Sequence, residues 1–535
     1  MITSIIISFV ILLRVHLSQA TSAAILFLNE TSQESSENME WNGKKYIIKN
    51  EGCTIPYVSY SQNSIWDVYQ YPVSLKPCPK NQHPLIKNNG THLWIIKENL
   101  RYYHAVNSSN FKCCYRKLTA VSNDVRNESS SLGCVCFSDP LLIKHEFIEI
   151  VCSYRANIIY DEMFVFPVKK PFTHQRPSPF RSLDNQSEYN VVVLGLSSIS
   201  RLNFHRTMKY TSNLVKEKEG IELFGYNIVA GNTFRNMMPA IVGMSTQELN
   251  RTCWPNARTT LDHCPYIWER FKDSGYYTVL AEDTTKSGIF KTNKFGFADK
   301  PTDYYLHPFL KENTLKSNRQ ESVCMGDEYY YNVALKFIHN LISILSPSKL
   351  FALLWESSIS RKQLNFPNLL DKDYESFLRK LNDEGYLNET FVFVISDRGI
   401  KYGDIHLTKR SEFEQRLPIA SILVPPTFSE KFPLAYENLK TNSRRLTTAF
   451  DIHETLIDLI NLNAISNEEV LDRTRSHYTK QKGMSLFLPI PGNRTCQSAN
   501  IDLEWCSCAR PKKAIVSNKR VFTNDQLTKN KPKHF

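Results

Sequence analysis

The chain has 535 residues, 42% of them hydrophobic and 22% charged. Such ordinary globular usage excludes disorder over most of the length and leaves room for one large domain beside a smaller one. The net charge of +12 is moderate for this size, and its densest basic stretches, "RPKKAIVSNKRVF" through "KNKPKHF", fall in the tail without a recognised nucleic-acid module, so nucleic acid is not an expected partner.

The first segment, "MITSIIISFVILLRVHLSQATSAA", has an apolar core from Ile5 to Leu13, then Arg14, then small residues around Ala20. A bilayer span takes roughly 20 apolar residues, so this core fits a secretory signal peptide over residues 1–20, cleaved near Ser18-Gln19-Ala20. A signal anchor is the competing reading. No later segment is apolar for long enough to give a stable membrane span once the signal is removed. Glycosylation acceptors of the Asn-x-Ser/Thr type stand at Asn29, Asn89, Asn107, Asn127, Asn185, Asn250, Asn388 and Asn493. They point to an extracellular, secreted chain.

The 13 cysteines agree. Cys53, Cys78, Cys113, Cys114, Cys134, Cys136 and Cys152 precede a long central region, and Cys496, Cys506 and Cys508 follow it. In an oxidising compartment these read as disulfides. The one-residue gaps in Cys134-Val135-Cys136 and Cys506-Ser507-Cys508 do not match zinc-site spacing. The odd number leaves one thiol free or paired with another chain.

Residues 21–165 are short apolar runs broken by Asn, Ser, Gly and Pro, which predicts a small, Cys-rich, β-containing region. Residues 166–189 are rich in Pro and charge and read as a linker. Residues 190–492 then alternate apolar β-branched runs at 191–196, 276–281, 350–355, 391–395 and 419–424 with helical patterns such as "YIWERFKDSG", "EYYYNVALKFIHNLISIL" and "DYESFLRKLNDEG". This alternation predicts an α/β domain with a mainly parallel sheet and helices on both faces. A C-terminal Cys segment, 493–510, and a basic flexible tail, 511–535, complete the chain. In such sheets chemistry sits at the carboxyl ends of strands, where Ser197, the run from Ser358 to Arg361, and Asp397-Arg398 fall.

The ordered blocks "CTIP", "SISRLNFHRTM", "GYNIVAGNTFRNMMP", "ERFKDSGYYTVLAED", "KPTDYYLHPF", "SDRG", "RLTTAFDIHETL" and "TCQSANIDLEWCSC" resemble, over residues 50–510, the secreted invertebrate family named as domain of unknown function 229. That family lies within the alkaline phosphatase and sulfatase-like superfamily. The resemblance implies an alkaline phosphatase-like fold and metal-assisted chemistry: an Asp after the first strand, a nucleophile at a helix start, an Asp-His pair, and further His ligands. The metal would lower the nucleophile's pKa and neutralise the phosphate or sulfate under attack. No substrate comes with the resemblance.

Carried over residue by residue, the implied site is mixed. Thr233 in "GNTFRN" matches the nucleophile position, with a helix N-cap as an equal alternative. Asp397 is retained as a metal position, and so is His453 in "FDIHETL", with a satisfied helix-start histidine as the alternative. Ser197 stands where similar members carry Asp, Arg361 on a His with Lys362 on the following Asp, and Arg398 on the His of the Asp-His pair. Arginine has no lone pair for a metal. A divalent ion about 4 Å from one guanidinium would be repelled by roughly 8 kcal/mol at an effective dielectric of 20, against about 10–16 kcal/mol for a complete structural zinc site.

Arg361 and Arg398 are therefore expected to fill the old metal pocket and pair with Asp397, either simply as ion pairs inside a dead cleft or as planar forks that suit a phosphate or sulfate without cleaving it. Lys401 and His406 make the rim cationic. The leading expectation is a secreted, glycosylated, catalytically degenerate binding or regulatory protein, with no cofactor and an extracellular partner or anionic ligand. The alternative is an active extracellular hydrolase or transferase of phosphate or sulfate esters. It would use Thr233 and zinc or another divalent metal on an unusual set drawn from Asp283, His406 or His453. A matrix component without a working pocket is the third reading.

Overall fold

The computed structural model describes residues 39–41, 44–61, 77–78, 83–105, 110–118, 134–137, 140–171, 189–256, 258–290, 296–316, 323–408, 410–476 and 482–509. Its centre is a seven-stranded sheet. The strands are β1 Asn190–Leu196, β2 Ile221–Glu222, β3 Tyr277–Glu282, β4 Tyr304–Tyr305, β5 Leu350–Glu356, β6 Thr390–Ile395 and β7 Ala420–Leu423, in the order β2-β7-β6-β1-β5-β3-β4. Strands β1, β3, β5 and β6 are buried along their whole length, which is why each reads as an unbroken apolar run. Side chains alternate between two cores. Val191, Val193, Phe351, Leu353 and Trp355 enter one, and Val192, Leu194, Leu196, Leu350, Ala352 and Leu354 enter the other.

Helices cover both faces. Helices α1 Arg201–Thr207 and α2 Lys209–Glu217 precede α3 Thr233–Val242 and α4 Ile267–Asp273; α5 Tyr330–Leu345, α6 Asp371–Asp383 and α7 Ala449–Ile460 follow. The first core takes apolar residues from α3, α4 and α7, the second from α1, α2, α5 and α6. Among the described residues no helix is long and apolar enough to cross a membrane.

The sheet is mainly parallel, but β7 runs antiparallel to β6, with Ile395 opposite Ala420. The connection 396–419 stays at the carboxyl end of β6, so the next strand enters from that end and runs back. An apolar run carries no sign of its direction, and only the connection decides it.

Residues 83–168 form the smaller β-containing region. A four-stranded antiparallel sheet (Asn157–Val165, Phe147–Tyr154, Phe111–Lys117, Val135–Cys136) and a three-stranded one (Ile86–Asn88, His92–Ile95, Leu141–Leu142) enclose a minor core with Leu93, Ile148, Ile150 and Phe166. Residues 44–61 go elsewhere. Ile47, Ile48 and Ile55 pack with Val229, Leu446, Phe450 and Ile501, so the first described strands join the large domain and the C-terminal segment.

Six disulfides follow this arrangement: Cys53–Cys508, Cys78–Cys324, Cys113–Cys152, Cys114–Cys136, Cys253–Cys264 and Cys496–Cys506. Cys134 is the free, exposed thiol. The pairs at Cys113 and Cys114 join residues directly opposite in adjacent strands. Cys53–Cys508 ties the first strands to the C-terminal segment, and Cys78–Cys324 ties the small region to the domain. Buried Arg494 adds a bidentate ion pair to Asp451 of α7, both contacts at 2.9 Å.

Asn89, Asn250, Asn388 and Asn493 are exposed. Asn29, Asn107, Asn127 and Asn185 lie outside the described residues, as do residues 1–20 and the tail 511–535.

Candidate functional site

The carboxyl ends of β1, β5 and β6 are laced together by serines. The Ser197 N–H donates to Glu356 O at 2.8 Å, and Ser360 Oγ donates to Ser197 O at 2.7 Å. Ser198, at φ +64°, turns its N–H onto Asp397 Oδ1 at 2.9 Å. A left-handed non-glycine residue costs of order 1–3 kcal/mol, and here the turn supplies a buried carboxylate with a donor. Ser396 Oγ accepts from Ile199 N at 3.0 Å and donates to Arg398 O at 3.0 Å. Gly399 closes the corner, because a Cβ there would lie 1.5 Å from Glu414 O. Ser197 thus holds the loop through its backbone and carries no charge.

Arg398 points inward. Its Nε lies 3.6 Å from Asp397 Oδ2 with both side chains buried, and its Nη1 donates to Gly399 O at 3.2 Å. Asp397 Oδ2 accepts no hydrogen bond among the described residues, so the guanidinium is the charge that compensates it. Half-buried His406 is held below its usual pKa, first by burial and then by the charges of Lys401 and Arg398. Lys401 and Arg398 are the cations of this rim, and the His406 ring beside them is kept neutral. Arg361 is half-buried and forms no hydrogen bond or ion pair among the described residues, and Lys362 is exposed. Their loop meets the Arg398 loop through Leu364, Ile400 and Ile405. Among the described residues Asp397 is accordingly ion-paired with Arg398 alone, and Arg361 is left over.

Thr233 begins α3 but does not cap it. Asn232 is the N-cap, its side chain accepting from Arg235 N at 2.9 Å. Thr233 sits half-buried at the first helical position, its hydroxyl without a partner among the described residues. The loop before it is fixed by Asn236 Oδ1, which accepts from Val229 N at 3.0 Å and Ala230 N at 2.9 Å. The C-terminal Cys segment packs alongside, with Asn227 Nδ2 donating to Trp505 O at 2.8 Å and Ser507 N donating to Asn227 Oδ1 at 3.1 Å.

His453 lies at the other end of α3. Its Nδ1 is 3.1 Å from Ala240 O, seven residues from Thr233, or roughly 10 Å along the helix axis. A Cβ on Gly243, at φ +74°, would lie 2.7 Å from His453 Nε2. Burial pushes the imidazole down to about 4, the nearby Arg270 and Lys482 charges adding to this. It is a neutral side chain packed against the end of α3 opposite to Thr233.

Asp283, a candidate ligand in the sequence, belongs to a group of buried acids at the ends of β3 and β5 whose other members, Glu282 and Glu356, the sequence reading missed. Asp283 accepts from Ser357 N at 2.9 Å and Ser358 N at 3.2 Å. Glu356 accepts from Ile359 N at 2.7 Å and Ser360 N at 3.2 Å, and Glu282 from Ile289 N at 2.6 Å. Burial pushes Asp283 up to about 6, Glu282 to about 7 and Glu356 to about 8, the Asp283 charge adding to the last. Their hydrogen bonds go to the loops that shape the corner. The Glu that ends the buried run "LFALLWE" was the available signal.

The donors do not fit a divalent metal. Among the described residues the one group of three His, Cys, Asp or Glu whose ligand atoms gather within 4.8 Å is Cys496, Cys506 and Cys508, and all three sulfurs are in disulfides. Asp397, Asp283, His406 and His453 form no such group, and a guanidinium occupies the free side of Asp397.

Comparison with known proteins adds the family. No curated protein matches the chain. Solved structures similar to part of it include the lipoteichoic acid synthase of Listeria monocytogenes, at 14% identity and TM-score 0.33 over 45% of this chain and 66% of that one, just under two thirds. The C-terminal periplasmic domain of a phosphoethanolamine transferase from Campylobacter jejuni matches at 11% identity and TM-score 0.34, over 52% of this chain and 96% of that one. The phosphonate monoester hydrolase of Agrobacterium radiobacter matches at 10% identity and TM-score 0.36, over 51% and 73%. The family model described as protein of unknown function (DUF229) matches residues 71–530, and with most of its length inside that match the chain belongs to this family.

Proposed function

We propose that the chain is an extracellular, catalytically degenerate protein of alkaline phosphatase/sulfatase-like type, acting by binding or regulation rather than by ester cleavage. The observation that carries this reading is the buried pair of Asp397 and Arg398. One retained carboxylate is neutralised by a fixed organic cation where the resembled family would use a metal. The six disulfides support an oxidising compartment. Arg361, left without a partner among the described residues, is the guanidinium available to a phosphate or sulfate group.

The anion test is a melting curve with added sulfate or phosphate. A ligand that binds only the native state stabilises by mass action, by about 2.7 kcal/mol at a hundred times its Kd. The expected result is a rise in Tm that Arg361→Ala abolishes. No rise, or a rise that Arg361→Ala leaves intact, would overturn anion binding at this pocket. Arg398→Ala is the wrong probe, because it also strips Asp397 of its counter-charge. The combined change Ser197→Asp, Arg361→His and Arg398→His should create measurable zinc affinity if the loops keep the family's geometry.

A second reading, an active hydrolase or transferase of phosphate or sulfate esters, is favoured by one observation. Among the described residues the Thr233 hydroxyl stands unpartnered in the first turn of α3, while Asn232 does the capping. Loss of ester turnover in Thr233→Ala would support it.

A further inference from the structure

We propose that Ser212, His205 and Glu222 form a second site, distinct from the Asp397 corner: a metal-free nucleophilic centre for acyl transfer from a small anionic ester. His205 of α1 stands between Ser212 of α2 and Glu222 of β2. Its Nδ1 is 3.0 Å from Ser212 Oγ, and its Nε2 is 2.9 Å from Glu222 Oε2. All three line one cavity of about 320 Å³.

The chemistry of the donors fixes the direction of this chain of hydrogen bonds. An ionised carboxylate can only accept, so Nε2 carries a hydrogen toward Glu222, and in the neutral ring that acts as base Nδ1 then keeps its lone pair toward the serine hydroxyl. Glu222 is held ionised. Although burial favours its neutral form, His205 and the buried, ion-paired Arg201 hold the carboxyl down at about 2. Ser212 is therefore a hydroxyl donating to an imidazole whose far side is anchored by a carboxylate. Nucleophile, base and orienting acid are in the relation that acyl transfer uses, with the two ring nitrogens exchanged.

The cavity suits a small ester. Phe204, Val215 and Ile221 supply an apolar side, and Lys216, Lys440 and Arg444 supply cations. Ser421 also lines it and is buried, its Oγ without a partner among the described residues. That hydroxyl is an unused donor for an oxyanion. In the reaction Ser212 Oγ bonds to the ester carbonyl carbon while its proton passes to His205 Nδ1. The carbon–oxygen bond to the alcohol then breaks, and the alcohol leaves with that proton. Water repeats the sequence on the acyl-serine and releases the acid.

The test uses the purified full chain and a fluorophosphonate probe, with the labelled peptide identified by mass spectrometry. The expected result is an adduct on Ser212, slowed by roughly 100-fold in His205→Ala. The charged ester para-nitrophenyl succinate should also be hydrolysed faster than neutral para-nitrophenyl butyrate. No adduct on Ser212 in the unmodified protein would overturn the proposal whatever the variants do. So would an adduct that forms equally well without His205. Equal rates on the two esters would remove the anionic preference.

Discussion

Replacing Arg398 by Ala should be among the costliest single changes at the candidate site. Asp397 Oδ1 would keep the Ser198 N–H, but Oδ2 would lose the one cation within 4 Å among the described residues, at 3.6 Å, inside a corner where its side chain is fully buried. Coulomb's law at an effective dielectric of 20 gives an attraction of about 5 kcal/mol at that distance. Relief of guanidinium desolvation offsets part of this, and removing one member of a buried pair commonly costs about 3–5 kcal/mol. The assay is guanidinium denaturation at neutral pH, followed by tryptophan fluorescence with the disulfides intact. Arg398→Ala should lose several kcal/mol, and Asp397→Asn combined with Arg398→Ala should regain most of it, because the uncompensated charge is gone. A loss under about 1 kcal/mol, the worth of an exposed ion pair, would refute the neutralised-pocket geometry. So would a double variant no better than the single one.

Glu356, pushed up to about 8 by burial, is protonated in the folded chain over a range where the unfolded chain is ionised. Its contribution to stability is full at low pH and is lost as pH rises through about 8; Glu356→Gln should flatten the fall in Tm between about pH 5 and 8, and parallel curves would contradict this. His453, held down at about 4, has the opposite sign: stability present above about 6.5 is lost as pH falls through 4, a loss of about 3 kcal/mol when complete. His453→Gln should remove that acid sensitivity, whereas an unchanged acid limb would count against a buried neutral ring. Breaking Cys53–Cys508 by paired Ala substitution should cost about 2–5 kcal/mol and open residues 44–61 to limited proteolysis, and resistance equal to the parent would contradict the shared core with the C-terminal segment. Alkylation without reduction should label Cys134 alone, and modification at Cys496, Cys506 or Cys508 would break the disulfide assignment.

The buried strands were legible because a strand covered on both faces has no polar positions, so 191–196, 350–355 and 391–395 stand out in any window. The direction of Ala420–Leu423 was not legible, since it is set by a connection that never leaves the carboxyl end of the sheet. The Asp397-Arg398 corner was readable as a departure from a familiar pattern, yet composition could not say whether the guanidinium turns in or out. The corner is closed by the approach of Gly399 to the carbonyl of Glu414, a residue well further along the chain. Thr233 and Asn232 are adjacent good capping residues, and only backbone dihedrals separate the cap from the first helical position. His453 was marked by resemblance to the family's pattern, while its placement against Ala240 and Gly243 comes from tertiary packing. Asp283 was legible as a candidate ligand but not as part of a buried acid group, and Glu356, His205 and Ser212 carry no local signal beyond a polar residue near the end of an apolar run or on a short helix.

The central claim is that a guanidinium has taken the place of the metal, and metal analysis of the purified, unmodified chain, run beside a panel of phosphate and sulfate esters, tests it most directly. The account predicts zinc far below stoichiometric amounts and no ester turnover above background that depends on Thr233. Stoichiometric zinc together with hydrolysis abolished by Thr233→Ala would contradict it and establish a working enzyme.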